Sequence, residues 1–186
     1  MITTKKELAL ILSSLHSTDQ HSPHFEQYAT PSEIAADALW FAHLSHDLFE
    51  LRIADLGCGN GILGCGAWLL GAKHVNFLDL DPTALTTTKK NVNLLEEKTQ
   101  RHLSSTFFQQ DVSTFKKDID CVLQNPPFGV QEQHADRAFL AAALQAPVAY
   151  SFHKTSTRTF VQGFIEKHGR TTILLKTYPF PLWKTM

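Results

Sequence analysis

The sequence predicts an α/β protein whose mostly parallel sheet is doubly wound, with helices on both of its faces. From about residue 51 onward, short apolar segments typical of strands alternate with helical segments, and parallel neighbours need such crossover helices. Glycine-rich or polar clusters directly follow the predicted strands, where ligands bind in open α/β sheets. A chain of 186 residues with 43% hydrophobic residues and 13 phenylalanines can fill one ordinary core. We therefore expect a single domain over residues 1–186.

Residues 1–47 are predicted to form helices that cover the ligand side of this domain. Apolar residues recur at helical spacing across residues 5–15, which predicts an amphipathic helix. Further on, Thr30 precedes Pro31 and Glu33, an order typical of a helix start in which a hydroxyl caps the first turn and a glutamate bonds back. We expect this second helix to continue to about residue 47.

The remaining elements follow from hydrophobic periodicity and from turn residues. Asp81 precedes Pro82, so the aspartate is expected to cap a helix that the proline begins. Further helices are predicted at 61–71, 136–144 and 157–167. Strands are predicted at about 51–56, 74–80, 106–110, 119–123, 148–152 and 171–178. In the doubly wound order the third strand lies at one edge of the sheet.

The turn after the first strand predicts a cofactor site. Gly57, Gly59 and Gly61 let the backbone turn tightly and approach a ligand, and the following helix offers its N-terminal amides. Asp79 ends the next strand about 20 residues on, where it can accept bonds from two ribose hydroxyls. A dinucleotide site would space its glycines as G-x-G-x-x-G, whereas a turn led by Asp55 suits a cationic ligand without phosphates. The alternative is a tight connection that binds nothing.

The end of the third strand adds a second part of this predicted site. The Asp111 carboxylate and the Val112 backbone amide could hold the edge of an adenine. The alternative is an ordinary turn aspartate at position 111. A ligand with ribose, adenine and positive charge is S-adenosylmethionine, which is the cofactor we predict.

The fourth strand runs into Asn125-Pro126-Pro127-Phe128, which predicts the catalytic loop. Two prolines restrict the backbone and make the loop rigid. The Asn125 side-chain oxygen and the Pro126 carbonyl could accept the two hydrogens of a planar exocyclic amine and stabilise charge developing on its nitrogen. Phe128 could stack on a flipped-out base. The alternative is a structural Pro-Pro turn with a core phenylalanine.

Two further segments resemble one family. Residues 150–158, Tyr-Ser-Phe-His-Lys-Thr-Ser-Thr-Arg, and the Gln27-Tyr28 pair followed by Thr30 are similar to the small-subunit ribosomal RNA adenine-N6 methyltransferases typified by methyltransferase-like protein five and its archaeal relatives. The glycine turn and the Asn-Pro-Pro-Phe loop fit that family but occur in many methyltransferases. The resemblance extends to about Tyr178 and implies a Rossmann-like class I methyltransferase fold and transfer of methyl to an adenine N6 in RNA.

This resemblance also implies roles for individual residues. Gln27, Tyr28 and Thr30 would close over the cofactor, Asp79 would hold its ribose, and Asp111 its adenine. The RNA would be positioned by residues beyond the fifth strand, namely His153, Lys154 and Arg158. The two cationic side chains could equally be solvated charges at a helix start.

The resemblance also implies a partner protein. The family adds a strand from a small zinc-binding methyltransferase activator protein to the third-strand edge, where Phe107 and Phe108 point to opposite faces.

The sequence departs from this family at one point. The family fold usually closes with a strand hairpin, yet this chain stops eight residues after Tyr178, with prolines at 179 and 181 that oppose pairing. We expect the last antiparallel strand to be missing or rearranged.

Three other functions remain open at this stage. Methylation of guanine N2 in RNA and of a glutamine amide in a protein would both suit the same tetrapeptide. A cofactor-binding scaffold subunit without activity belongs to a different class, but its expected signature, a degraded glycine turn or a lost Asp79 or Asn125, is not found.

Composition excludes several classes. The three cysteines fit neither a disulfide framework nor a zinc knuckle, and the spaced histidine pairs lack a third ligand, so no metal is expected. With no signal-like or membrane-spanning segment, we expect a cytoplasmic protein. The net charge of −1 means that RNA binding needs a local basic patch or a partner.

Overall fold

A computed structural model of the chain describes residues 2–17, 30–127 and 135–179. Within these ranges the strands form one five-stranded sheet in the order β3-β2-β1-β4-β5, and every neighbouring pair is parallel. The strands are β1 (Arg52–Leu56), β2 (His74–Asp79), β3 (Ser105–Gln109), β4 (Cys121–Gln124) and β5 (Val148–Ser151). The α/β class, the five strands and the edge position of β3 are confirmed.

Helices cover both faces of the sheet. They are α1 (Lys5–Leu12), α2 (Ser32–Leu44), α3 (Ile62–Leu69), α4 (Pro82–Thr99), α5 (Ala135–Ala143) and α6 (Arg158–Lys167). Side chains of α1 to α4 pack on one face around Ile53 and Phe77, whereas α5 packs on the other face around Ala54 and Val122. Alternate residues of β1 thus serve opposite cores, as expected for a parallel strand buried on both faces.

Helix α3 lies in the tightest part of the fold, with all eight of its residues buried. A Cβ built on Gly64 would lie 2.3 Å from a ring carbon of Phe77 on β2, and one on Gly66 would lie 2.4 Å from a methyl of Leu39 on α2. The two glycines therefore let α3 approach the sheet on one side and α2 on the other.

The predicted strand at 171–178 is wrong, because residues 170–179 form no strand. Side chains hold this segment against α2 instead: Lys176 and the Tyr178 hydroxyl both donate to the Asp37 carboxylate, Tyr178 at 2.7 Å. Ile173 is 93% exposed. The apolar residues of this segment alternate as they would in a strand, but the segment pairs with no strand of the described sheet, whose edge on this side is β5.

The predicted start of α2 is also wrong in one respect. Pro31, not Thr30, occupies the cap position, and no side-chain hydrogen bond caps the helix. The Asp81-Pro82 prediction is confirmed, because Asp81 Oδ1 accepts from the Thr83 amide at 2.8 Å and Pro82 begins α4.

Two further observations concern membrane-spanning segments and metal sites. No helix in the described part of the chain is long and apolar enough to cross a membrane. Across the same residues no three His, Cys, Asp or Glu side chains cluster as a metal site would require, and all three cysteines are free and buried.

We predict that Gly64→Ala destabilises the chain by about 1–3 kcal/mol, because the new methyl group has no room beside Phe77. Gly163→Ala is the matched control, since Gly163 is also helical but has no atom within 4 Å of the added Cβ. That control should gain up to about 1 kcal/mol from helix propensity. Urea unfolding of both variants measures the difference, and equal stabilities would contradict the packing argument.

Candidate functional site

The glycine turn, Asp79 and Asn125 meet at the carboxyl edge of the three central strands. In register, Leu56 of β1 pairs with Leu78 of β2 on one side and with Gln124 of β4 on the other. The glycine turn that follows Leu56 therefore lies between Asp79 and Asn125, the residues that come next on the neighbouring strands. This alignment joins three motifs that are separated by up to 70 residues in the sequence.

Left-handed backbone shapes the turn. Gly57, Gly59 and Gly61 have φ values of 65°, 56° and 79°, which only glycine adopts without strain. An added Cβ would lie 3.0 Å from the Phe139 ring at Gly57 and 2.6 Å from a Thr88 methyl at Gly61, but at Gly59 it would meet nothing within 4 Å. Gly59 is therefore the point at which a ligand can approach the turn closely.

Asp79 borders this opening. Its Oδ2 accepts from the Gly59 amide at 2.9 Å and its Oδ1 accepts from the Asp81 amide at 2.9 Å. Burial raises the pKa of Asp79 above its usual value, although these amide donors oppose that shift. Each carboxylate oxygen has a second lone pair, so the group can also accept the two hydroxyls of a ribose. The donor and acceptor set beside an open glycine fits the predicted cofactor.

Asp55 is more deeply buried than the sequence suggested. It is 1% exposed, and its Oδ2 accepts from the Gly64 amide in the first turn of α3 at 2.8 Å. Burial raises the pKa of Asp55 to about 8, and the nearby charge of Asp79 adds to the shift. The carboxyl thus fixes α3 to the end of β1, and its contact with a cationic ligand stays a prediction.

Asp111 acts in the structure as a local cap. Its Oδ1 accepts from the backbone amide of Ser113 at 2.8 Å and begins a 3-10 turn at Val112–Thr114. The Ser113 hydroxyl and amide lower the pKa of Asp111. The Val112 side chain is 6% exposed and joins the core. The proposed contact of Asp111 and the Val112 amide with an adenine edge stays a prediction.

Asn125 is oriented by a residue whose predicted role was different. Its Nδ2 donates to the Thr30 hydroxyl at 3.0 Å, and Thr30 is only 6% exposed. Pro126 is buried and Pro127 half-buried directly after it. The Thr30 hydroxyl thus holds the Nδ2 end of the Asn125 amide in the observed orientation. Phe128 lies outside the described residues, as do Gln27 and Tyr28.

A chain of polar side chains continues from β4 to β5. Gln124, which is fully buried, donates from Nε2 to Ser151 Oγ at 2.9 Å, and that hydroxyl contacts His153 Nε2 at 2.6 Å. The structure thus connects His153 to the strand that carries Asn125. Lys154 is half-buried before a 3-10 turn, and Arg158 is exposed and donates to Thr177 Oγ at 3.3 Å.

Sequence reasoning missed a buried polar cluster on α4. Asn91 is fully buried; its Nδ2 donates to the carbonyls of Asn60 at 2.8 Å and His16 at 2.9 Å, while its Oδ1 accepts from the His16 amide at 2.7 Å. One turn away, the Thr88 hydroxyl donates to the Gly59 carbonyl at 2.9 Å. The signal in the sequence was the polar residues at positions 88 and 91, on the same helix face as apolar Leu95.

We predict that Asn91→Ala destabilises the chain by about 1–3 kcal/mol, because backbone groups of both the glycine turn and the N-terminal segment lose their partner. Cofactor affinity should fall as well. Asn93→Ala, an exposed change on the same helix, is the control and should leave both unchanged. Thermal unfolding and calorimetric titration with the cofactor would show this, and parallel behaviour of the two variants would contradict it.

We predict a pH dependence of stability from Asp55. Its pKa is about 8 in the folded chain and near 3.8 when unfolded. The folded state therefore holds a proton that the unfolded state has released, so the free energy of unfolding should fall as pH rises from about 4 to about 8. Asp55→Asn keeps an oxygen for the Gly64 amide and should flatten this slope. Denaturant titrations across that window compare the two proteins, and identical slopes would refute the prediction.

Comparison with known proteins gives consistent results. Residues 34–149 match the methyltransferase small domain family. The chain is 35% identical over 161 residues to the rRNA N(6)-adenosine-methyltransferase Mettl5 of Drosophila melanogaster, which covers 84% of this chain and 76% of that protein. It is 33% identical over 182 residues to an uncharacterized protein of Methanocaldococcus jannaschii, and this match covers 94% of the present chain and 82% of the archaeal protein.

A solved structure is similar as well. A candidate RNA methyltransferase from Pyrococcus horikoshii matches with a TM-score of 0.80 and 39% identity, over 91% of this chain and 81% of that one. The likeness therefore includes the sheet and its covering helices.

Proposed function

Since the chain belongs to the methyltransferase small domain family, and within it to the rRNA adenine-N6 methyltransferases, we propose that it methylates an adenine of small-subunit ribosomal RNA through Asn125 to Phe128. The chain is an S-adenosylmethionine-dependent N-methyltransferase that acts on RNA. The observation that supports the catalytic loop most directly is the register that brings Asn125 beside the glycine turn. A ribosomal RNA substrate also supports a cytoplasmic location.

Cofactor binding is proposed for the edge formed by the glycine turn and Asp79. When bound, S-adenosylmethionine supplies an electrophilic methyl group on a cationic sulfur. Gly59 allows close approach, Asp79 accepts the ribose hydroxyls, and the Asp111 segment contacts the adenine. A cation beside the turn favours the charged form of Asp55 and a phosphate disfavours it, so this carboxyl selects a cationic ligand. Gln27, Tyr28 and Thr30 would close this site.

Asn125 performs the chemistry that the substrate requires. The lone pair of an adenine amine is delocalised into the ring, so the amine is a weak nucleophile. Acceptors at Asn125 and at the Pro126 carbonyl would bind its two hydrogens and stabilise the charge that develops on nitrogen. With Nδ2 bonded to Thr30, the amide is oriented so that its oxygen is the end proposed to accept from the amine. Phe128 would stack on the base, and positioning would dominate the rate.

We predict that Asn125→Ala lowers kcat by about 10²–10³-fold while leaving cofactor affinity unchanged, because the lost acceptor acts mainly in the transition state. Thr30→Val should lower kcat less, since it removes only the group that orients the amide, and Thr30→Ser should restore it. Steady-state kinetics and cofactor calorimetry separate these effects. Full activity of Asn125→Ala would show that the loop is only a structural turn.

The function is tested by incubating the chain with labelled S-adenosylmethionine and separate fractions of rRNA, tRNA, DNA and protein. Nucleoside analysis should find N6-methyladenosine in small-subunit rRNA. N2-methylguanosine or methylated glutamine would instead support the two alternative acceptors, and an absence of transfer to every fraction would support the scaffold alternative.

The edge of β3 is the proposed binding site for a small zinc-binding activator protein, through strand addition. The Gln110 amide donates to the Asp79 backbone carbonyl, and the Ser104 carbonyl accepts from the Val75 amide. The backbone groups of even-numbered residues therefore face β2, and those of the odd-numbered residues of β3 point away from it. Phe107 stacks on Phe77 inside one core, with ring centroids 5.3 Å apart, and Phe108 packs toward the other. An added strand would thus meet outward donors and acceptors on a well-anchored edge.

This partner is tested by co-expression with the cognate activator. We predict that Gln109→Pro abolishes the complex, because it removes an outward amide and leaves the bonds to β2 in place. Gln109→Thr is the control and should still co-purify. A wild-type chain that stays monomeric, soluble and fully active in the presence of the activator would contradict the proposal.

A further inference from the structure

Charge is distributed very unevenly along this nearly neutral chain. Residues 135–179 contain six lysines and arginines against two acidic residues, a net charge of +4, so the rest of the chain carries −5 within the total of −1. This segment provides β5, α5 and α6. The basic patch that RNA binding requires of a near-neutral protein is therefore concentrated on the side of the sheet that ends with β5.

A groove of about 260 Å³ lies between α5 and α6 in this basic region. Its lining consists of aromatic and basic side chains around one glycine: Arg137, Phe160, Gly163, Phe164, Lys167 and His168. Among the side chains that the structure describes, no acidic residue lines it. We call this feature the α5–α6 groove.

The aromatic rings form a continuous row along α6. The Arg137 guanidinium lies 5.5 Å from the centroid of the Phe160 ring. The Phe160 and Phe164 rings are 6.2 Å apart, and the Phe164 and His168 rings are 4.4 Å apart. Interleaved rings and cations are the composition that proteins use to bind unpaired RNA, in which bases stack on rings and phosphates pair with basic side chains.

The groove begins at the catalytic edge. Arg137 is the third residue of α5 and Phe160 the third of α6, and both helices follow strands whose carboxyl ends pair through Gln124 and Ser151. His168 lies eight residues beyond Phe160, which corresponds to about 12 Å along a helix. The groove thus extends from the site that holds Asn125 toward the opposite edge of the sheet.

Gly163 keeps the middle of the groove open. It lies inside a helix, where glycine costs about 1 kcal/mol relative to alanine, and an added Cβ would meet nothing within 4 Å. The protein's own packing therefore does not require a glycine there. A ligand that lies flat on the helix backbone would require one.

From these observations we propose that the α5–α6 groove binds the unpaired RNA next to the target adenine, with phosphates at Arg137 and Lys167 and a base on the Phe164–His168 rings. The proposal rests on the proposed function, since it assigns the path of that RNA substrate. An adenine must be unstacked to reach a catalytic loop, and unpaired nucleotides on either side of it can enter a groove that begins beside it.

The test uses the full chain and a short, fluorescently labelled single-stranded RNA of mixed sequence. Lys167→Glu and Gly163→Glu should each weaken binding about tenfold in fluorescence anisotropy. The slope of log affinity against log salt should fall by about 0.7 for each lost phosphate contact. Lys6→Glu, an equal charge change at an exposed position on α1, should bind as wild type. Gly163→Ala should weaken binding by a smaller factor than Gly163→Glu, because its methyl group hinders close approach of the ligand to the helix backbone. All four variants should keep the wild-type cofactor affinity, and their melting temperatures should lie within a few degrees of the wild-type value.

The outcomes separate this proposal from the proposed function. If wild type forms N6-methyladenosine but Lys167→Glu and Gly163→Glu match it in RNA affinity and in KM for RNA, the groove assignment is overturned and the function stands. If wild type methylates no RNA, the proposed function fails whatever the groove binds. Preference of wild type for an acidic peptide over RNA, lost in Lys167→Glu, would assign the groove to a protein partner and overturn the RNA proposal.

Discussion

The site depends on one buried amide. Asn91 on α4 bonds to the carbonyl of Asn60 in the glycine turn and to both backbone groups of His16 in the N-terminal segment. These segments are far apart in the chain and have no regular hydrogen-bond ladder between them, so a side chain must satisfy their backbone groups inside the protein. The N-terminal segment is therefore held at His16 against the glycine turn.

Close packing around α3 also makes the glycine turn rigid. Gly64 allows α3 to contact Phe77, and the Gly64 amide donates to Asp55 at the end of β1. This one residue serves both packing and hydrogen bonding, so the turn above α3 has little freedom to move. A preformed turn costs less ordering free energy when a ligand binds.

Electrostatics divides the molecule into two working regions. Two carboxyl groups, the buried Asp55 and the half-buried Asp79, lie beneath the cofactor edge, and burial raises the pKa of both. A bound cation would favour their charged forms, which couples cofactor binding to proton release. The excess positive charge lies elsewhere, on residues 135–179. A cationic cofactor and a polyanionic substrate thus meet at a common edge but are attracted by different parts of the chain.

The sequence alone determined the fold class, the edge position of the third strand and the location of the glycine turn, Asp79 and Asn125, because these depend on local periodicity, on turn residues and on the rule that parallel strands place their carboxyl ends together. Tertiary structure alone decided three other matters. Thr30 holds Asn125 instead of capping α2, Asn91 joins two distant segments, and the apolar residues near Ile173 form no strand. Each depends on which group a side chain or an unpaired backbone meets across the fold, and local sequence carries no record of such distant neighbours.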